Sequence, residues 1–443
     1  MIRVVASLAI VLVFLFNAEA NTLENLLKIA EQKDYKLTSL LYRKEADKYR
    51  TEQFRAQRRP QFSISTYFGW QEYKPYYSSE VRRTLKYYYL VLRQPVYHPE
   101  IKAKIEQSEL YSKVDELKVQ QEKQYIKYLV VTTLLHLSYS KTKKLLYSKL
   151  INLEFERLKR VEELIKRKKE TQDTLFNIEK SYQDAKFGLR ESEIEADSTL
   201  KNLELIVGKL KSKPTLNLID SLEPFLNKAE ELKGDIANNF EVRIAEENIK
   251  IARSEIDVRS YNRYPKVDLS FSYSYTSSSA VSVASKDKRA AITVDFPLYQ
   301  GGLITAQKLE ALALERAAIA ERENTLREKR TQLEDSLERL RKATENLKYL
   351  KEKLRIDEKL IALNREGLKL GAKTVFDLLN SKESYLKDRL SAIEEVHKGL
   401  TAYLEVLYLT ANLTEDNLRF ANSWFKWENA EIEISNRTCK EGL

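Results

Sequence analysis

The stretch Tyr264-Pro265-Lys266-Val267-Asp268-Leu269-Ser270-Phe271-Ser272-Tyr273-Ser274-Tyr275 decides how the rest of the chain is read. Val267, Leu269, Phe271, Tyr273 and Tyr275 alternate with Lys266, Asp268, Ser270, Ser272 and Ser274. Side chains on a strand point to opposite faces in turn, so this is a strand with one apolar and one polar face. Three other segments alternate similarly. Phe62, Ile64, Thr66, Phe68 and Trp70 oppose Gln61, Ser63, Ser65, Tyr67 and Gly69. Leu85, Tyr87, Tyr89 and Val91 oppose Thr84, Lys86, Tyr88 and Leu90, and Ala290, Ile292, Val294 and Phe296 oppose Arg289, Ala291, Thr293 and Asp295. Segments of about ten residues with this alternation are the pattern of transmembrane barrel strands. A soluble antiparallel sheet with one wet face alternates too. The aromatic load and the polar links Tyr73–Glu80 and Thr276–Lys288 favour the barrel. Four strands do not close, and an open edge in lipid leaves backbone groups unpaired, so the barrel is expected to be shared between chains.

The strand has an echo about 200 residues earlier. Arg59-Pro60-Gln61-Phe62-Ser63-Ile64-Ser65 matches Tyr264–Ser270, and Gln94-Pro95-Val96-Tyr97 matches Phe296-Pro297-Leu298-Tyr299. Thr171-Gln172-Asp173-Thr174-Leu175 with Lys180-Ser181-Tyr182 matches Thr374-Val375-Phe376-Asp377-Leu378 with Glu383-Ser384-Tyr385. A unit of this size exceeds solenoid repeats, whose periods are roughly 20–50 residues, and reads as a duplicated half. The expected organisation is a signal peptide over 1–20, a first repeat over 21–223, a second over 224–420 and a tail over 421–443. Each repeat holds a helix, two strands (about 60–74 and 82–96; about 264–277 and 287–298) and a long helical hairpin (99–208; 302–413).

Met1-Ile2-Arg3, the apolar run Val4–Phe16 and Asn17-Ala18-Glu19-Ala20 read as a secretory signal cleaved before Asn21. The run is too short to span a bilayer, which takes about 20 residues. No cysteine follows it, so no lipid-anchored amino terminus is expected. Cys439 is the single cysteine, which excludes a disulfide within one chain, and His98, His136 and His397 fall in no metal-binding spacing. No cofactor or metal is expected. The net charge of +10 is spread along charged helices, and with export it argues against a nucleic-acid partner.

From Pro99 to about Arg167, and from Gly302 to Leu370, the only internal Pro or Gly is Gly367. About 68 residues make a helix on the order of 100 Å long. Leu326, Leu333, Leu340, Leu347, Leu354, Ile361 and Leu368 recur every seventh position, a coiled-coil seam. The first copy is looser, with Leu110, Val114, Leu117, Tyr128, Leu135, Leu146 and Leu153. Each long helix reverses at a short tip and returns through Leu175–Val207 or Val375–Leu413. Helices at Thr22–Arg58 and about Pro224–Asn262 fill the remaining length. Lys211–Pro224 and Trp424–Leu443 are left as irregular or small elements.

Three motifs then carry a resemblance: Tyr264-Pro265-x-Val267-x-Leu269-Ser270, Phe296-Pro297-Leu298-Tyr299-x-Gly301-Gly302, and Gly367-x-x-x-Gly371-x-x-Thr374-x-x-Asp377-Leu378-Leu379. Over essentially its whole mature length the chain resembles the TolC-type outer-membrane efflux proteins. The resemblance implies a mixed α and transmembrane β fold: a homotrimer whose twelve-stranded barrel sits in outer-membrane lipid and continues as an α-helical tunnel across the periplasm. It implies export of small molecules or proteins with a periplasmic adaptor and an inner-membrane pump, and no catalysis. It assigns Asp377 and Asn380 to a selectivity ring at the tips. Lys373, Asp173 and Thr174 become latch candidates, although Lys lacks the bidentate reach of the family's usual Arg. Lys168, Lys169, Thr171, Leu370, Gly371 and Thr374 become adaptor-contacting tip residues. The alternative is a secreted coiled-coil interaction protein with a small soluble sheet.

Overall fold

The computed structural model describes residues 23–429 apart from 75, 77–79, 211, 217–218 and 280. The expected signal peptide and Cys439 lie outside the described residues. In chain order the elements are α1 (Leu23–Lys33), α2 (Tyr35–Ala56), β1 (Gln61–Tyr73), β2 (Val81–Tyr97), α3 (Pro99–Lys166), α4 (Gln172–Val207) and β3 (Ser212–Leu216). There follow α5 (Glu223–Glu231), a 3-10 turn (Leu232–Asn238), α6 (Phe240–Tyr261), β4 (Lys266–Ser278), β5 (Val281–Asp295), α7 (Leu303–Lys369), α8 (Val375–Leu409), α9 (Glu415–Asn422) and β6 (Phe425–Asn429). The chain falls into two compact units, and neither coincides with a sequence repeat. One draws its described residues from Met1–Thr38, Gln121–Asn239 and Leu326–Leu443, the other from Ser39–Gln120 and Phe240–Thr325.

The second unit holds an antiparallel sheet in the order β1-β2-β4-β5. Four helical segments accompany it, joined by cross-helix pairs in the matching order. Thr51 and Ser108 share a buried hydroxyl–hydroxyl bond of 2.8 Å between α2 and α3, flanked by Arg55–Glu109 and Lys44–Glu116. Lys113–Glu247 and Gln107–Glu255 tie α3 to α6, and Arg253–Glu315 and Arg322–Glu246 tie α6 to α7. Each strand therefore continues into the helix that occupies the same place in the row.

Register assigns the faces, because residues directly opposite across antiparallel strands share one. Phe62, Ile64 and Thr66 face Leu92, Leu90 and Tyr88, which in turn face Phe271, Tyr273 and Tyr275. Leu269 and Phe271 face Ile292 and Ala290. The apolar face thus takes Tyr88, Leu90 and Leu92 from β2. Leu85, Tyr87, Tyr89 and Val91, the more apolar set by sequence, lie on the serine-rich face instead. Both sets on β2 are apolar enough that only the neighbouring strands decide between them.

Three expectations are corrected. The link Thr276–Lys288 is mostly strand: β4 and β5 pair through Thr276↔Ser285 to Ser278↔Val281. The amino-terminal helix is broken at Asp34, whose carboxylate accepts from the Leu37 backbone N–H and so restarts the chain as α2. Its counterpart breaks at the 3-10 turn containing Gly234, followed by Asn239, whose side-chain amide donates to the Leu409 carbonyl at 2.9 Å. Within the two segments expected to be irregular or small elements, β3 and β6 pair as a separate two-stranded antiparallel sheet.

In the first unit the core runs along α3, where Val130, Val131, Leu134, Leu135 and Leu137 are fully buried, and along α8, where Leu400, Leu404 and Val406 are. Phe225, Tyr403, Phe420 and Trp424 pack ring against ring, the Phe225–Tyr403 centroids 5.3 Å apart. On α7 the heptad residues Leu333, Leu340 and Leu347 are buried with Leu337 and Ala343. The opposite side of α7 exposes a second stripe, Tyr349, Ile356, Leu360 and Leu363. On α4, Phe176, Phe187, Ile194 and Leu205 are exposed at spacings that return to one helix face.

Candidate gate at the helix tips

Both hairpin tips lie in the first unit and are built alike. At the second tip Ala372 N–H donates to the Gly367 carbonyl at 2.8 Å and Gly371 N–H to Leu368 at 3.2 Å, with Gly371 at φ 72°. These are the paired bonds of a Schellman stop, which places its residue after the helix cap in the left-handed region. At the first tip Lys169 N–H donates to Leu164 at 2.9 Å and Lys168 N–H to Ile165 at 2.8 Å, with Lys168 at φ 53°. The same turn is made with a lysine where its twin has glycine, at a steric cost only glycine escapes.

The returning helices start on matched caps. Thr374 caps α8: its Oγ1 accepts from Asp377 N–H at 3.1 Å, while its own N–H and hydroxyl both donate to Asp377 Oδ2 at 2.9 Å. This capping box holds the Asp377 carboxyl below the usual carboxylate range, the Thr374 backbone bond first and its hydroxyl bond next. Thr171 caps α4, its hydroxyl accepting from Thr174 N–H at 3.4 Å and bonding Thr174 Oγ1 at 3.1 Å, while Thr174 Oγ1 donates to Glu170 at 3.2 Å. Thr174 thus stands where its twin has Asp377. Among the described residues neither Lys373 nor Asp173 makes an ion pair; the Lys373 stem lies against Gly367. Leu370 is exposed at the tip.

Asn380 is anchored within the chain. Its amide oxygen accepts from Arg157 Nη2 at 2.8 Å. Arg157 Nη1 donates to both oxygens of Glu154, at 2.9 and 2.8 Å, and pairs with Glu383 on α8. The guanidinium also lies 5.6 Å from the Phe376 ring centroid. Glu154 is fully buried and Arg157 nearly so. Burial, reinforced by the Glu383 charge and opposed by Arg157, holds the Glu154 carboxyl above its usual range. This clasp joins the outgoing helix of the first hairpin to the returning helix of the second. Leu150, Leu153, Ala185 and Leu379 form the apolar layer next to it.

A second polar tie lies further along the same helices. His136 on α3 and His397 on α8 share a hydrogen bond of 3.4 Å, and His136 Nε2 lies 3.2 Å from Glu195 on α4, which also meets Lys143 at 3.4 Å. Tyr139 stacks on His397 at 4.4 Å. Burial, with help from His136, Lys398 and Lys143, pushes His397 down to about 4. Within α7 and α8 the buried carboxyls of Asp357 and Asp388 are hydrogen-bonded, and burial followed by Asp388 raises the Asp357 carboxyl. No group of three or more potential metal ligands is found among the described residues.

Sequence reading missed the Arg157 clasp. Its signal was an acid and an arginine three apart in α3, Glu154 and Arg157, together with Glu383 of the repeated Glu-Ser-Tyr triplet. The three histidines read as scattered, and only the fold brings two of them together.

Two outcomes follow from this geometry. Arg157→Ala leaves Glu154 buried without its counter-charge and should destabilise the fold by about 3–5 kcal/mol at neutral pH. A carboxyl whose folded pKa is raised favours folding as pH falls, so the deficit should shrink toward about pH 5. Urea titrations at both pH values check this, and a deficit independent of pH would remove Glu154 from the account. Lys168→Gly relieves the left-handed strain and should stabilise by about 0.5–1 kcal/mol, whereas Gly371→Ala should cost about 1–2 kcal/mol. Thermal midpoints moving in the same direction would contradict the assignment of both turns.

Residues 235–411 match the model of the family described as Outer membrane efflux protein. The curated Proteases secretion protein PrtF of Dickeya chrysanthemi is 22% identical over 194 residues, covering 43% of this chain and 42% of that protein. Among solved structures, the outer membrane protein VceC of Vibrio cholerae superposes with a TM-score of 0.74 at 14% identity, over 88% of this chain and 95% of that one. The open-state MtrE outer membrane channel of Neisseria gonorrhoeae gives 0.70 at 14%, over 88% and 89%. At these identities the superpositions speak for the fold. The family match over 235–411 takes in all three motifs, and the superpositions show that the fold of these outer-membrane channels is shared over most of the chain.

Proposed function

We propose that the chain is one subunit of a homotrimeric export duct, its sheet closed with two copies into a twelve-stranded outer-membrane barrel and its long helices walling a periplasmic passage. The observation that carries this reading is the pair of unpartnered edges, β1 and β5, on a sheet with one apolar face. Lipid offers such edges no hydrogen bonds, so closure with further copies is what the backbone requires. The exposed stripes on α4 and α7 supply apolar surface for the same association. An inner-membrane pump and a periplasmic adaptor would provide energy and cargo choice. The tip residues Lys168, Lys169, Thr171, Leu370, Gly371 and Thr374 are the surface offered to the adaptor.

In this reading Asp377 and Asn380 line the constriction. Their side chains are set by the Thr374 cap and the Arg157 clasp. Oδ1 of Asp377 has no partner among the described residues, which leaves one carboxylate oxygen per subunit for a passing cation. Lys373, Asp173 and Thr174 would meet only across subunits, since they do not pair within one.

The test is reconstitution in planar bilayers after cross-linking in detergent. Wild type should run as a trimer and conduct with a cation preference. Asp377→Asn keeps acceptors for the cap and removes the charge, so it should lower that preference and weaken block by multivalent cations. A monomer in detergent, or a trimer that never conducts, would sink the duct; unchanged selectivity would remove Asp377 from the constriction.

A further inference from the structure

On the apolar face of the sheet three lysines have no counter-charge. The ladder Ile64↔Leu90↔Tyr273↔Lys288 is followed, nearer the hairpin turns, by Thr66↔Tyr88↔Tyr275↔Lys286 and then by Phe68↔Lys86↔Ser277. Lys86, Lys286 and Lys288 therefore project from the same face as Phe62, Ile64, Phe68 and Trp70, and all three are exposed. Among the described residues none of their side chains makes an ion pair or hydrogen bond. Charges on the opposite face are satisfied within the chain: Arg289 pairs with Asp287, Arg93 with Asp268, and Arg83 donates twice to Gln71. Arg82, the remaining base on the apolar face, is occupied by Glu72 and Glu80.

The lysines sit within a band of rings. Phe68 and Tyr88 meet edge to face at 5.5 Å, and Tyr88 lies 5.9 Å from Tyr275. Aromatic residues of this kind mark the level where hydrocarbon gives way to headgroups, and lysine stems there carry their charge to the interface. Below the band, away from the turns, a groove of about 640 Å³ is lined by Phe62, Leu90, Leu92, Phe271, Tyr273 and Ala290, with Lys288 at its upper end. Apolar groove and cationic rim are thus stacked in the order of an acyl chain and its headgroup. Two strand spacings separate β2 from β5, about 10 Å, so Lys86 and Lys286 both reach toward one headgroup.

We propose that this face holds an anionic, phosphate-bearing lipid of the leaflet at the hairpin-turn end, one acyl chain in the groove and the phosphate among Lys86, Lys286 and Lys288. The inference rests on the membrane-barrel reading above. Charge complementarity selects the occupant: a neutral lipid would leave three cations unpaired, and a protein strand adds at β1 or β5 rather than on the face.

The test is native mass spectrometry of the full-length assembly released from detergent, with phosphatidylglycerol or phosphatidylcholine added at equal concentration. Wild type should retain phosphatidylglycerol preferentially. Lys86→Gln, Lys286→Gln and Lys288→Gln should each reduce the preference by up to about five-fold, and the triple variant should abolish it. Inorganic phosphate in millimolar excess should leave the retained lipid in place. Loss of the lipid to free phosphate, or a triple variant that retains phosphatidylglycerol like wild type, overturns the proposal. If wild type inserts into phosphatidylcholine bilayers yet holds both lipids alike, this inference alone fails. If it does not insert at all, the barrel reading fails and takes the lipid site with it.

Discussion

A β-strand at the edge of a sheet presents every second backbone donor and acceptor outward, and those groups must find partners or water. In this chain β1 and β5 are such edges, and the sheet they bound carries Phe, Leu, Ile and Tyr on one face and Ser, Thr and Gln on the other. The rest of the organisation is arranged around that requirement. Each strand continues into a helix of the same row, so a sheet that closes on further copies brings its helices into a closed ring with it. The duplication supplies two near-equivalent strand–helix modules per chain. Charge pairs across the row, from Arg55–Glu109 to Arg322–Glu246, keep those modules in order.

Much of this was legible in the residues. Alternation over Val267–Tyr275 identified a two-faced strand, and the absence of Pro and Gly after Pro99 and Gly302 marked the long helices to within a residue or two of α3 and α7. What failed to show depends on partners distant in sequence. Leu85–Leu92 of β2 alternates between two apolar sets, and only pairing with β1 and β4 selects the outward one. β3 and β6 are five residues each and meaningless alone, because each is the other's template. The break at Asp34 was visible in principle, since Asp before Tyr-Lys-Leu is an ordinary helix start. It was hidden by continuous helix formers on both sides.

The tips show how a repeated frame accommodates unlike chemistry. Helix stop and helix start are the same at both ends of the duplication, down to the hydrogen bonds of the turn and the threonine caps. The occupants differ: lysine against glycine in the left-handed position, threonine against aspartate three residues after the cap. Backbone geometry set the frame, so side chains were free to diverge without altering the path of the chain. The Arg157 clasp then joins unlike parts, the outgoing helix of one copy and the returning helix of the other, which no symmetry within the chain requires. Lys387 also pairs with Glu383, so two cations face two carboxylates, and the burial that raises the Glu154 carboxyl makes the clasp sensitive to protonation.

The small sheet of β3 and β6 sets an order on how the molecule comes together. The β1–β2 and β4–β5 hairpins close over short turns, so their pairing is local and fast. β3, near residue 212, waits for a strand beginning at Phe425, and the intervening chain holds the whole second hairpin. Closing so long a loop costs entropy that only prior packing of the intervening helices reduces. That pairing lies beside the aromatic cluster of Phe225, Tyr403, Phe420 and Trp424, which belongs to the same packed region. A chain interrupted before Phe425 keeps both hairpins of the sheet but lacks the seam that joins the middle of the sequence to its later part.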